Sequence, residues 1–278
     1  MKQEAPQQRR KPPRESSHLQ SEEHVKILDR FRIDGRVAIV TGASSGLGVD
    51  FSVALAEAGA DVALAGRREE RLMGTSKLVE AAGRRALAVR TDVTSPDECR
   101  ELVDATMRMF GRVDILVNNA GVGTAVPATR ETPEQFRSVV DINLNGCYWM
   151  AQACATVMQP GSSIINITSV LGLTTAGLPQ AAYASSKAGL IGFTRDLAQQ
   201  WTGRKGIRVN ALAPGYFESE MTDQFEGDYV ARTIIPRTLH GRLGRAEELN
   251  AALIFLASDA SSYVTAITLP VEGGMLAT

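Results

Sequence analysis

From Arg36 onward the sequence alternates short apolar runs with longer amphipathic stretches: 37–40 then 47–58, 62–65 then 68–82, and 86–89 then 96–110. Short apolar runs fit strands buried on both faces, and the stretches between them fit helices that return the chain, so the rhythm predicts βαβ units. Further strands are predicted at 115–117, 164–167, 209–212 and 264–269. Seven strands in this order imply an α/β fold, a doubly wound parallel sheet of the Rossmann-like kind. Neither linker-like composition nor an internal repeat interrupts residues 33–278, so a single domain is expected.

The first 24 residues have a different character. Their apolar side chains are Met1, Ala5 and Leu19, too few to offset the entropy of ordering the segment. Residues 1–30 are therefore read as a flexible N-terminal extension and 31–278 as the dinucleotide-binding catalytic domain. The extension lacks the apolar centre of a secretory signal, and Glu4, Glu15, Glu22 and Glu23 argue against a transit peptide.

Composition narrows the partners. A formal net charge of −1 with no basic stripe in the body gives no reason to expect a nucleic-acid surface, and a small-molecule partner is expected instead. The apolar runs fall far short of the roughly 18 residues that a spanning helix requires, so no membrane association is expected. Cys99, Cys147 and Cys154 are odd in number and irregularly spaced, which supports neither a disulfide framework nor a C-x-x-C site and suits a reducing cytoplasm. His240 is the one histidine of the body, so no metal site is expected.

Between the first strand and the first long helix lies Thr41-Gly42-Ala43-Ser44-Ser45-Gly46-Leu47-Gly48. In a strand-turn-helix setting each glycine has a use: Gly42 permits the tight turn, Gly46 lets backbone approach a pyrophosphate, and Gly48 allows close helix packing. The backbone and side chains from Ser44 through Leu47 then lie at the phosphates. The same residues match G-x-S-x-G, the nucleophile elbow of α/β hydrolases, with Ser44 as nucleophile and His240 as its base. Against that alternative, the elbow ordinarily follows several strands and here it follows the first. About 20 residues past the glycines, where NAD-binding sheets carry a carboxylate for the ribose hydroxyls, stands Gly66-Arg67-Arg68. Without a carboxylate to repel a 2′-phosphate, and with Arg67 able to pair with one, NADP(H) is the expected cofactor, NAD the alternative.

The chain resembles the short-chain dehydrogenase/reductase family over residues 33–274. Its motifs occur in order: the turn above, Asp92-Val93, Asn118-Asn119-Ala120-Gly121, Asn143-Leu144-Asn145-Gly146, Ser169, Tyr183-Ala184-Ser185-Ser186-Lys187 and Pro214-Gly215. The resemblance implies that Asp92 and Val93 contact the adenine, that Asn119, Gly121, Pro214 and Gly215 border the cofactor, and that Asn143, Ser169, Tyr183 and Lys187 form a catalytic tetrad. Tyr183 and Lys187, at i and i+4, share one helix face. A free phenol keeps its proton to about pH 10, and a neighbouring ammonium favours the phenolate, which makes proton exchange near neutrality easier. In this reading Tyr183 gives a proton to a carbonyl oxygen that Ser169 also holds, Lys187 tunes the phenol and binds the nicotinamide ribose, and Asn143 holds a water leading from Lys187 to solvent.

The same resemblance implies a homotetramer packed through helices near 145–158 and 181–203, and a lid over the substrate at 216–243. Tyr216, Phe217 and Met221 are candidates either for a substrate pocket or for core. The general likeness is to 3-oxoacyl-thioester reductases and to sugar-acid or polyol dehydrogenases. Glu218, Glu220, Asp223, Glu226 and Asp228 speak against a polyanionic carrier at the lid. A redox sensor or scaffold would keep the glycine turn but have no use for the tetrad. Two departures stand out: Asp50, expected to point to water, and Glu272, in a closing turn where the family often has Asp.

Overall fold

In a computed structural model of the chain, residues 26–218 and 228–278 are described. The predicted alternation folds into seven strands: β1 (Val37–Thr41), β2 (Asp61–Gly66), β3 (Ala86–Arg90), β4 (Ile115–Asn118), β5 (Ser163–Ile167), β6 (Arg208–Pro214) and β7 (Thr268–Val271). All pair in parallel, in the order β3-β2-β1-β4-β5-β6-β7. The strand order reverses between β1 and β4, and a reversal of this kind opens a crevice at the carboxyl ends of the strands.

The helices are α1 (Leu47–Glu57), α2 (Glu69–Ala81), α3 (Pro96–Phe110), α4 (Pro133–Val140), α5 (Gly146–Ala155), α6 (Ala181–Lys205) and α7 (Ala246–Ala257). The two-residue period of the strands sorts their side chains between two cores. Ala38, Val40, Val62, Leu64 and Ile115 pack with Phe51 and Leu55 of α1 and with Leu249 and Leu253 of α7. Their neighbours Ile39, Ala63, Ala65 and Leu116 point the other way, onto Leu102 of α3, Met150 of α5 and Leu197 of α6. Local chemistry sets the helix ends. In α3 the Ser95 hydroxyl accepts from the Glu98 amide at 3.3 Å, Pro96 opens the first turn, and Gly111 closes the helix at φ 79°.

Two boundaries differ from the sequence reading. The last strand was expected at 264–269 and runs instead over Thr268–Val271, because the Val264 amide is held in a turn by Ser261 O and Ala266 takes φ 63°, outside the range of a strand. At the other end, residues assigned to the extension form a 3-10 turn, Ile27–Phe31, whose Arg30 donates to Asp259 O and to the Ser262 hydroxyl. Among the described residues no helix is long and apolar enough to cross a membrane.

Candidate active site

The ends of β1 and β4 are stitched together at the switch point. The Thr41 hydroxyl accepts from the Asn119 and Ala120 amides, both at 3.0 Å, and the Asn119 side chain donates back to Thr41 O at 2.9 Å. This close approach explains Gly42: at φ 68°, a Cβ there would lie 2.9 Å from Ala120 Cα. A Cβ on Gly48 would lie 2.2 Å from Gly42 O, so the helix can begin against the turn only with glycine at that position. Gly46 differs. It takes φ 53°, and nothing lies within 4 Å of where its Cβ would be, at the N-terminus of α1, which no side chain caps. Bare backbone, open space and uncapped helix amides make a cradle suited to a pyrophosphate.

The guanidinium of Arg68, at the end of β2, bends over this turn and donates to Ser44 Oγ at 3.0 Å and to Ser45 Oγ at 2.7 Å. Within Gly66-Arg67-Arg68 the sequence points to Arg67 as the phosphate partner, and Arg68 is the one that reaches the turn, since only strand pairing brings it beside Ser44 and Ser45. Arg67 is exposed and acts on Asp92. Although desolvation pushes the Asp92 carboxyl up, hydrogen bonds from the Thr94 amide and hydroxyl, with Arg67 and Arg90 nearby, hold it below the usual carboxylate range. Val93 is buried against Gly146. Asp50 does not simply face water: it is partly buried, and desolvation raises its carboxyl pKa. Glu272 accepts from the Leu276 amide at 3.0 Å, and its backbone packs on Gly215.

The ammonium of Lys187, only 4% exposed, donates to Ile167 O at 2.8 Å and sits 5.7 Å from the centroid of the Tyr183 ring. One turn of helix separates the two residues, as the spacing predicts. Ser169, at the end of β5, accepts from the Leu171 amide at 3.1 Å. Ser169, Tyr183, Lys187, Asn119, Gly121 and Gly215 line one cleft of about 160 Å³, to which Leu47 and Pro214 also contribute.

Asn143 lies beneath this cleft, in the π-helical turn Asp141–Asn145 that leads into α5. Its amide donates to Val122 O at 3.0 Å and to Ser186 Oγ at 3.1 Å, and its oxygen accepts from the Val122 amide at 2.8 Å. Both donors are thereby used, and the side chain clamps the loop after β4 to α6. The expectation that Asn143 holds a water therefore does not describe its side-chain amide. Ser186 extends the clamp by donating to Tyr183 O at 2.7 Å.

Tyr216 and Phe217 line the cleft and also pack into the core, Tyr216 against Val170 and Ile234 in one cluster and the buried Phe217 in another, so the two alternatives coincide. Met221, Glu220, Asp223 and Glu226 lie outside the described residues. Glu218 is exposed, and Asp228 pairs with Arg232 at 3.1 Å. Above the cleft the Tyr229 hydroxyl donates to Ala176 O at 2.7 Å, and burial pushes the Tyr216 phenol above its usual range. The hydrolase arrangement is not formed. The hydroxyl of Ser44 faces the Arg68 guanidinium, which cannot serve as a base, while His240 lines a separate cleft between Thr238 and Gly273.

Fold and site together define a nicotinamide-dependent oxidoreductase that interconverts a carbonyl and a secondary alcohol by hydride transfer. The family model described as enoyl-(acyl carrier protein) reductase matches residues 42–276. The chain is 37% identical to the 3-oxoacyl-[acyl-carrier-protein] reductase FabG of Thermotoga maritima, over 88% of this chain and 99% of that one. It is likewise 37% identical to the 2-dehydro-3-deoxy-D-gluconate 5-dehydrogenase of Escherichia coli K12, over 90% and 99%. Among solved structures, a putative short-chain alcohol dehydrogenase from Sinorhizobium meliloti 1021 superposes with a TM-score of 0.85 at 39% identity, covering 90% of this chain and 99% of that one. A short chain dehydrogenase from Burkholderia cenocepacia, in complex with NADP, has a TM-score of 0.83 at 32% identity over 88% and 99%. A 7α-hydroxysteroid dehydrogenase complexed with NADH has 0.84 at 32% over 89% and 96%. The chain belongs to the short-chain dehydrogenase/reductase family.

Proposed function

We propose that this enzyme uses NADP(H) in preference to NAD(H), and that Tyr183 is its proton-transfer group. The observation that carries the cofactor reading is Arg68, a cation bonded to Ser44 and Ser45 at the end of a β2 that carries no carboxylate there. Arg68, with the exposed Arg67 beside it, suits a 2′-phosphate, which guanidinium binds through charge-assisted hydrogen bonds. Gly42, Gly46 and Gly48 shape the pyrophosphate cradle. Asp92, Val93, Asn119, Gly121, Pro214 and Gly215 border the rest of the nucleotide.

The bound nicotinamide supplies the hydride in reduction and takes it in oxidation. In reduction the Tyr183 phenol donates its proton to the carbonyl oxygen, to which Ser169 donates a hydrogen bond. Lys187, fixed by Ile167 O beside the Tyr183 ring, is placed to bind the nicotinamide ribose. Asn143 and Ser186 position α6 rather than meet the substrate.

The domain 31–278 acts as one catalytic unit. A homotetramer packed through α5 and α6 follows from the family resemblance, with Tyr148 of α5 exposed on that face; light scattering reporting a monomer would overturn it. Three free, buried thiols suit a reducing cytoplasm. Titration with NADPH and NADH, followed by nicotinamide fluorescence, tests the cofactor reading: tighter NADPH binding is expected, and a preference for NADH would contradict it.

A further inference from the structure

Leu197 and Ala198 of α6 share an apolar core with Ile164 and Val209 of the sheet, and a chain of polar side chains crosses from the sheet to the same helix. Its members, Asn118 of β4, Asn166 of β5 and Thr194 of α6, are at most 1% exposed. Asn118 Nδ2 donates to Asn166 Oδ1 at 2.9 Å and to Cys147 O at 3.1 Å. A backbone carbonyl can only accept, so the bond to Cys147 fixes which end of the Asn118 amide is the nitrogen, and the rest of the chain follows. Asn166 Nδ2 donates to Thr194 Oγ1 at 2.9 Å, and the Thr194 hydroxyl donates to Leu190 O at 2.8 Å.

Stability alone does not explain the chain, because apolar side chains of the same shape in place of both partners of such a bond are nearly neutral. Asn118 Oδ1 is moreover buried with no protein partner among the described residues, which is a cost. What directional bonds add is register: apolar surfaces slide over one another, whereas a hydrogen bond weakens with a small displacement. Register matters here because the chain joins the elements that carry the chemistry. Asn118 directly precedes Asn119 at the cofactor edge, Asn166 stands three residues before Ser169, and Thr194 lies two turns beyond Lys187 on the same face of α6. Backbone contact leaves α6 no slack against the turn after Ser169, since a Cβ on Gly172 would lie 2.9 Å from the Lys187 carbonyl carbon. A shift of α6 along β5 therefore changes the spacing of Tyr183 and Ser169.

We infer that Thr194, held by Asn166, is a positioning residue for the proton-transfer step: it sets the register of α6 on β5, and with it the place of Tyr183 beside Ser169. The inference rests on the roles proposed for those two residues. Its test is Thr194→Val in the full chain, which keeps the shape and removes the hydroxyl, with Thr194→Ser as the rescue and Thr106→Val as the control. Thr106 of α3 is equally buried and also donates to the carbonyl one turn back, Leu102 O at 2.8 Å, but among the described residues no donor from another element reaches it. With NADPH and ethyl acetoacetate, Thr194→Val should lower kcat by about ten- to a hundredfold, the scale of a misplacement near 1 Å, and leave KM and NADPH affinity within about twofold. Thr194→Ser should restore most of kcat. Thr106→Val should keep the kcat of wild type even where its denaturation midpoint falls as far.

Crystal structures of wild type and Thr194→Val should show α6 displaced along β5 in the variant. An unmoved α6 or an unchanged kcat would overturn the inference, as would an equal loss of kcat in Thr106→Val or a Thr194→Ser variant as slow as Thr194→Val. The crystallographic comparison separates this inference from the proposed mechanism. A displaced α6 in the variant, with wild type binding NADPH but not reducing the keto ester, would leave the register standing and remove the roles of Tyr183 and Ser169 that give it a catalytic meaning.

Discussion

Arg68 Nη2 lies 2.7 Å from Ser45 Oγ, which fastens the end of β2 to the glycine-rich turn after β1. In the proposed NADP(H) reading this guanidinium would meet the 2′-phosphate, beside a strand end without a carboxylate. Arg68→Ala should therefore weaken NADPH binding by about ten- to a hundredfold, the scale of a charge-assisted hydrogen bond. NADH binding should change by less than about twofold. A fluorescence titration with both nucleotides reads the difference, and equal weakening of the two would mean that Arg68 only braces the turn.

Asn143 acts through packing and hydrogen bonding. Its replacement by alanine leaves Val122 N, Val122 O and Ser186 Oγ each short of a partner. The expected loss is about 2–4 kcal/mol of stability, since each unmet buried polar group costs on the order of 1 kcal/mol or more. Chemical denaturation of the variant should show a lower midpoint, and an unchanged midpoint would show that water replaces the clamp.

Arg208 is a buried cation whose guanidinium meets carbonyls at the end of α7 rather than a carboxylate: Nη1 donates to Leu256 O at 3.0 Å and Nη2 to Ser258 O at 3.1 Å. Desolvation, with Arg36 nearby, lowers its pKa to about 10, which still leaves it charged at neutral pH. Arg208→Met should cost about 2–4 kcal/mol in the same assay, because it strips charged hydrogen bonds from a helix C-terminus. Nucleotide affinity of the folded variant should not change.

The thiols give a pH-dependent test. Burial pushes Cys99 up to about 12 and Cys147 to about 11, against an ordinary value of 9.0. Both pKa values are raised in the folded state, so their contribution to stability is complete below about pH 9 and declines as pH rises toward 11 and 12. At pH 8 both stay neutral and covered. Iodoacetamide should therefore label no cysteine of the native protein at that pH, and Cys99, Cys147 and Cys154 together once urea unfolds it. Rapid native labelling at either Cys99 or Cys147 would contradict the burial.

The sequence revealed what repeats locally and missed what only packing creates. Apolar runs at Val37–Thr41 and Asp61–Gly66 are buried on both faces, which is why unbroken hydrophobicity located them so well. The strand at Thr268–Val271 lies at the sheet edge, half-covered and preceded by the positive φ of Ala266, so the apolar residues before it misled the reading by several positions. The Tyr183–Lys187 pair is a spacing within one helix and was visible directly. Arg68 over Ser44, and Asn143 against Val122 and Ser186, join residues more than 20 positions apart, where no local period carries information.

Tyr183 is the proposed proton-transfer group. The direct measurement is carbonyl-dependent NADPH oxidation by Tyr183→Phe alongside NADPH affinity for the same protein. The expected fall in kcat is about 10²–10⁴-fold, the usual contribution of a positioned acid, with nucleotide binding unchanged. Turnover by Tyr183→Phe at a rate comparable to wild type would contradict it.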